Sequence, residues 1–256
     1  MIAALLRWLA LAWLGLFVWT HPGLASPAEP ARVAVAMNFL PVARELAPLF
    51  RRQTGHRLTL IGGASGKLYA QIRQGAPYDV LLSADRDKPA RLEALGLTVP
   101  GKRFVYASGR LALWAGDGQP LRGPQRLYAE PTIALANPRL APYGQAAMQV
   151  LRYLALDLDA TQRVLGENVA QATRYVATGH APIGLVAWSL IPPSQRNQAW
   201  LVPAHWHAPI DQEAVLLLRG AGQPAAVAFI RWLRGQPAQA RIEAAGYAVV
   251  DRAAIS

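Results

Sequence analysis

The sequence contains no cysteine, which excludes disulfide staples, thiol nucleophiles and thiolate metal sites. It has only three lysines, Lys67, Lys88 and Lys102, and no run of Lys and Arg longer than two residues. The formal charge of +11 is therefore spread over scattered arginines. Such a dispersed charge lacks the clustered basic footprint of a nucleic-acid binder, so no nucleic-acid partner is expected; it suits mild steering of small anions. After residue 25 no uncharged apolar stretch is long enough to span a bilayer. No fixed-period repeat is visible, and no nucleophile, base and orienting acid stand at a recognisable spacing. That leaves no signature of an enzyme, and no resident cofactor or protein-bound metal is expected.

What is present is apolar: 53% of 256 residues, enough for one large domain or two ordinary ones with substantial cores. The first 25 residues read as a leader. Arg7 and the amino terminus supply a thin positive region, Trp8 to Trp19 is an apolar run of signal-peptide length, and Gly23-Leu24-Ala25 is small at both positions that a signal peptidase needs. Cleavage after Ala25 and export to the periplasm are expected. Losing Arg7 lowers the formal charge by one, to +10.

The remainder is organised around Leu60 to Tyr69, L-I-G-G-A-S-G-K-L-Y. An apolar strand leads in, glycines allow a tight turn, and a helical pattern leads out through Leu68, Tyr69 and Ile72. A helix N-terminus with unpaired N–H groups, glycines and the Ser65 hydroxyl make a ready anion site. The stretch is not a P-loop, because Ile61 stands where the first glycine belongs and Leu68 where the Mg²⁺-binding hydroxyl belongs. Lys67 is read as a solvated helix residue and Glu167 as a residue at a helix start.

Strands over 33–37, 57–61 and 79–84 alternate with helices over 39–53, 67–74 and 85–95, the pattern of a parallel sheet with covering helices. Pro48 predicts a kink or break in the first helix. Ligands sit at the carboxyl ends of such strands, which is where Asn38 and Ser65 stand. Phe104 to Trp114 reads as one long strand with Gly109 in its middle. A second α/β unit follows: a strand over 132–136, a loop from Asn137 to Gly144, a helix over 145–155, a strand over 163–165, a helix over 169–178 and a strand over 182–188. His205 and His207 alternate as on one strand face but have no evident third partner for a metal. The chain returns through a strand over 213–218, two helices over 224–234 and 237–245, and a strand over 247–250. The crossings near 108–111 and 203–208 are the expected hinge.

Five motifs in order carry a family resemblance: Val35-Ala-Met-Asn-Phe-Leu40, Gly63-Ala-Ser-Gly66 with Tyr69-Ala-Gln-Ile72, Gly75 through Asp85, Ala136 through Gly144, and Gly166-Glu-Asn-Val-Ala-Gln171. Together they resemble the periplasmic molybdate-binding proteins of ABC transporters, across about 31–250. The resemblance implies the two-lobed α/β type II periplasmic-binding fold, each lobe a mixed sheet flanked by helices, with the ligand in the cleft. Lobe I would take 26–108 and 206–256, and lobe II 109–205. It implies a monomer that binds molybdate or tungstate through neutral donors and delivers it to a membrane permease; the alternatives are a binding protein of the same fold for another oxyanion such as sulfate or phosphonate and, behind it, an enzyme on this fold. Asn38, with its amide, and Ser65 match donors of the first lobe; Tyr143 and Val169 match second-lobe positions that act largely through backbone N–H groups. Met37 departs from the small or hydroxyl residue usual there, so any donor it offers is its main chain. Ala187-Trp188 departs from the branch with a ligand-contacting tyrosine.

N-terminal sequencing of the exported protein is expected to begin at Ser26. A chain that still begins at Met1 would show that the leader is kept as an anchor.

Overall fold

The computed structural model describes residues 29–159 and 161–248. The expected leader, its expected cleavage point and the end of the expected last strand lie outside the described residues.

The chain builds two lobes, each a five-stranded mixed sheet covered by helices. It opens with β1 (Ala31–Ala36), α1 (Leu40–Thr54), β2 (Leu58–Gly63), α2 (Ser65–Arg73), β3 (Val80–Leu82), α3 (Asp87–Ala94) and β4 (Thr98–Gly109). It then enters β5 (Leu111–Ala115), α4 (Arg126–Ala129), β6 (Ile133–Ala136), α5 (Pro142–Tyr153), β7 (Arg163–Gly166), α6 (Val169–Ala177), β8 (Ile183–Ala187) and β9 (Trp200–Leu201). It closes with β10 (Ile210–Leu217), α7 (Pro224–Leu233) and α8 (Gln236–Ala244).

The first sheet runs β2-β1-β3-β10-β4, with β1 parallel to β2 and β3 and with β10 antiparallel to its neighbours. The second runs β7-β6-β8-β5-β9, with β6 parallel to β7 and β8. Period-two alternation decides which residues face which helices. Val33, Val35 and Leu82 pack with Phe50 and Phe229 on one face of the first sheet. Ala34 and Leu81 pack with Leu68 and Leu92 on the other. The second lobe has its own core around Leu113, Leu135, Val150 and Leu185.

Four expectations are corrected. Helix α1 runs unbroken through Pro48. Pro48 and Arg44, the residue whose carbonyl loses its partner, are both exposed, so water can replace the missing bond. The stretch from Phe104 to Trp114 is two strands in two sheets, parted at Arg110. Gly109 stands at that crossing, where a Cβ would lie 2.2 Å from the Tyr143 hydroxyl. Helix α5 begins at Pro142, not at Gln145, because proline presets the helical φ at the first position; Tyr143 therefore sits in a helix and not in a loop. His205 lies in a short 3-10 turn, Ala204–Trp206, so His205 and His207 share no strand face. Of the strand expected over 247–250, the described part makes one antiparallel bridge, Ala248 to Ser108.

Register places the site. Ala36 pairs with Gly63 at the ends of β1 and β2, and Ala136 pairs with Gly166 at the ends of β6 and β7. In each lobe the next residue donates its N–H to that glycine's carbonyl, Met37 to Gly63 at 3.1 Å and Asn137 to Gly166 at 2.7 Å. Helix α5 is seated by Gly144, where a Cβ would stand 2.2 Å from the Ala136 carbonyl oxygen. Backbone at that distance cannot move aside cheaply. Gly144→Ala is expected to cost about 2 kcal/mol, seen as a fall in Tm of about 4–8 °C by calorimetry.

Candidate functional site

Asn38, Ser65, Tyr143, Val169 and Met37 line one small pocket between the lobes. The pocket is far smaller than the several hundred Å³ that a sugar or peptide needs. The remaining wall is alanine, glycine and proline, with Asn168. Among the described residues, none that lines the pocket carries a formal charge. Those small residues bear no functional group, so sequence reasoning had no chemical signal by which to find them.

Helices α2, α5 and α6 begin at the pocket, with Ser65 and Val169 as first residues and Tyr143 as second. N–H groups in a helix's first turn have no intrahelical acceptor. No side chain caps α2 or α5, while Asn168 caps α6 by accepting the Gln171 N–H at 3.0 Å. Each N-terminus carries roughly +0.5 charge, so the three together offset most of a double negative charge without a cation.

Ser65 is 2% exposed, and its Oγ accepts the Ala84 N–H at 3.0 Å. That bond fixes the oxygen and leaves the hydroxyl proton to be donated into the pocket. Asn38 is held differently. Its Nδ2 donates to Gln212 Oε1 at 2.9 Å and to Tyr247 Oη at 3.1 Å, while Tyr247 Oη donates back to the Asn38 carbonyl at 2.9 Å. Both amide hydrogens are thus engaged behind the site, and the main-chain N–H is the donor Asn38 can offer. Met37 cannot act as a main-chain donor, because its N–H extends the β1–β2 ladder to Gly63. Its side chain packs as wall, with the sulfur 2.8 Å from where a Gly62 Cβ would stand.

Sequence reasoning missed the polar layer behind the pocket: Gln212, Tyr106 and Tyr247, all buried. These residues lie far along the chain from Asn38, and no local motif marks them. Burial raises the phenol pKa of Tyr106, Tyr143 and Tyr247 above its ordinary value, so all three stay neutral donors and acceptors.

Lys67 is not simply solvated. Its Nζ lies 2.6 Å from Glu167 Oε2, across the mouth of the cleft. The Gly66 N–H donates to the Leu140 carbonyl at 3.0 Å beside it. Both charged groups are about half exposed, so the pair is a weak clasp. It also keeps the nearest cation out of the pocket.

The raised phenol pKa values set an alkaline limit. The unfolded chain releases these protons near the ordinary value of 10.0, and the folded chain releases them later. Stability is therefore held below about pH 10 and lost as pH rises above it. Absorbance at 295 nm is expected to show three tyrosines that ionise only with unfolding, followed by circular dichroism. Titration of all the phenols below the unfolding transition would contradict this.

The family model for bacterial extracellular solute-binding protein matches residues 31–248. The molybdate-binding protein of Rhodobacter capsulatus is 40% identical over 232 residues, covering 88% of this chain and 91% of that protein. The solved structure of the Azotobacter vinelandii periplasmic molybdate-binding protein superposes with a TM-score of 0.80 at 38% identity, covering 86% of this chain and 100% of that one. A sulfate-binding protein of Mycobacterium tuberculosis superposes with a TM-score of 0.69 at 16% identity over 89% of this chain and 88% of its own, a likeness of fold alone. The chain belongs to the bacterial extracellular solute-binding protein family.

Proposed function

We propose that the protein captures molybdate or tungstate between its two lobes in the periplasm and delivers it, as a monomer, to the permease of an ABC importer. The observation that carries this reading is a pocket for one small ion, walled by uncharged residues, at which three helices begin. A buried dianion needs several converging hydrogen bonds. The Ser65 hydroxyl and the N–H groups of Asn38, Ser65, Tyr143 and Val169 supply them, and Met37 closes the wall without donating. Relatives named for molybdate binding, 38–40% identical over 86–88% of this chain, support the choice of anion. Neutral donors on rigid helix ends favour a larger tetrahedral oxyanion over sulfate, whose shorter bonds cannot reach every wall at once.

A hydrolytic reading lacks its base. The Ser65 oxygen accepts from Ala84, and no histidine or carboxylate lines the pocket to take its proton. We therefore read the protein as a binder and not an enzyme.

Calorimetric titration with molybdate, tungstate, sulfate and phosphate tests the proposal. Tight one-to-one binding of the first two and none of the others is expected. Ser65→Ala removes a hydroxyl donor to a charged acceptor, worth about 1.5–3 kcal/mol, and is expected to weaken binding about 10- to 150-fold. Silence toward all four anions would mean that the fold is kept and the ligand changed, with Met37→Ser the first variant to restore a donor.

A further inference from the structure

We infer that Gln212 is a positioning residue of the oxyanion site, joining the side-chain amide of Asn38 in the first lobe to the start of α5 in the second. The inference rests on the proposed reading of that pocket as an anion site. Gln212 lies on β10, fully buried at 0% exposure. Its Oε1 accepts twice, from Asn38 Nδ2 at 2.9 Å and from Tyr106 Oη at 3.0 Å. Its Nε2 donates to Tyr143 Oη at 3.4 Å. Gln212 thus contacts pocket residues of both lobes.

The two sides differ in strength. The bonds to Asn38 and Tyr106 are short and stay within the first lobe, where Tyr247 secures Asn38 from a second direction. The bond to Tyr143 crosses between lobes and is long, so it is weak and parts cheaply. That asymmetry suits a pocket that must open. The first-lobe donor stays set in the open form, and the second-lobe helix finds its place when the Tyr143 hydroxyl returns to Gln212. Gly109 leaves the space for that return, since a Cβ there would stand 2.2 Å from Tyr143 Oη and 3.0 Å from Gln212 Nε2. No atom of Gln212 needs to touch the anion, because it acts through Asn38 and Tyr143.

The test is a double-mutant cycle in the full mature protein with Gln212→Met, which keeps the length and loses the amide, and Tyr143→Phe, which keeps the α5 backbone donor and loses the hydroxyl. Tyr143→Phe changes a single atom and keeps the question open to measurement should Gln212→Met fold poorly. Molybdate and sulfate affinities are measured by calorimetry well below each variant's Tm. Gln212→Met is expected to weaken molybdate binding about tenfold and Tyr143→Phe about threefold, each narrowing the molybdate-to-sulfate ratio, with the double variant losing no more than the worse single one. A lowered Tm with affinity and selectivity unchanged would make Gln212 merely structural and overturn the inference. Losses that simply add would overturn it too. A wild-type chain that binds no oxyanion would overturn the reading of the pocket and this inference with it, whereas tight wild-type binding with both variants matching it in affinity and selectivity would overturn the inference alone.

Discussion

An anion taken out of water without a cation must be met by dipoles already pointing at it. That requirement governs this structure. Helix N-termini are the densest source of unpaired N–H groups in a protein, and α2, α5 and α6 all begin at the pocket. Their convergence follows from register. Where β1 and β2 end level, and where β6 and β7 end level, the turns that follow are forced side by side. The paired N–H bonds from Met37 to Gly63 and from Asn137 to Gly166 repeat one device in two lobes that share no visible sequence repeat. The cores beneath, Val33 and Leu82 in one lobe, Leu135 and Leu185 in the other, hold the strand ends at a fixed height.

Much of the site was legible because its chemistry is local. Gly63-Ala-Ser-Gly66 announces a strand end and a helix start, and Ser65 stands where that grammar puts a donor. Asn38, Tyr143 and Val169 were found by motif order, and the structure brings all of them to one pocket, from opposite lobes. What stayed hidden is non-local. Gln212 is 174 residues from Asn38 and Tyr247 is 209 residues away, and nothing in a window of sequence reports such a meeting. The role of the Asn38 amide was hidden for the same reason: its partners arrive from the end of the chain.

Local rules also misled where tertiary context outweighed them. Proline inside α1 is tolerated because it faces water. An apolar run that looks like one strand changes sheets at Arg110, beside Gly109, whose missing side chain leaves space for Tyr143. Lys67 finds Glu167 only because the lobes face one another, a pairing that no helical spacing predicts.

The place of β10 has a consequence for how the molecule is made. In the first sheet it lies between β3 and β4, yet it comes from residues 210–217, after every strand of the second lobe. A chain emerging amino end first holds β1 to β4 without the strand that joins them, whereas the strands of the second lobe arrive in one continuous stretch, 111–201. The second lobe can close early; the first must wait until nearly the whole chain has appeared, and its long-range pairings make that last step slow.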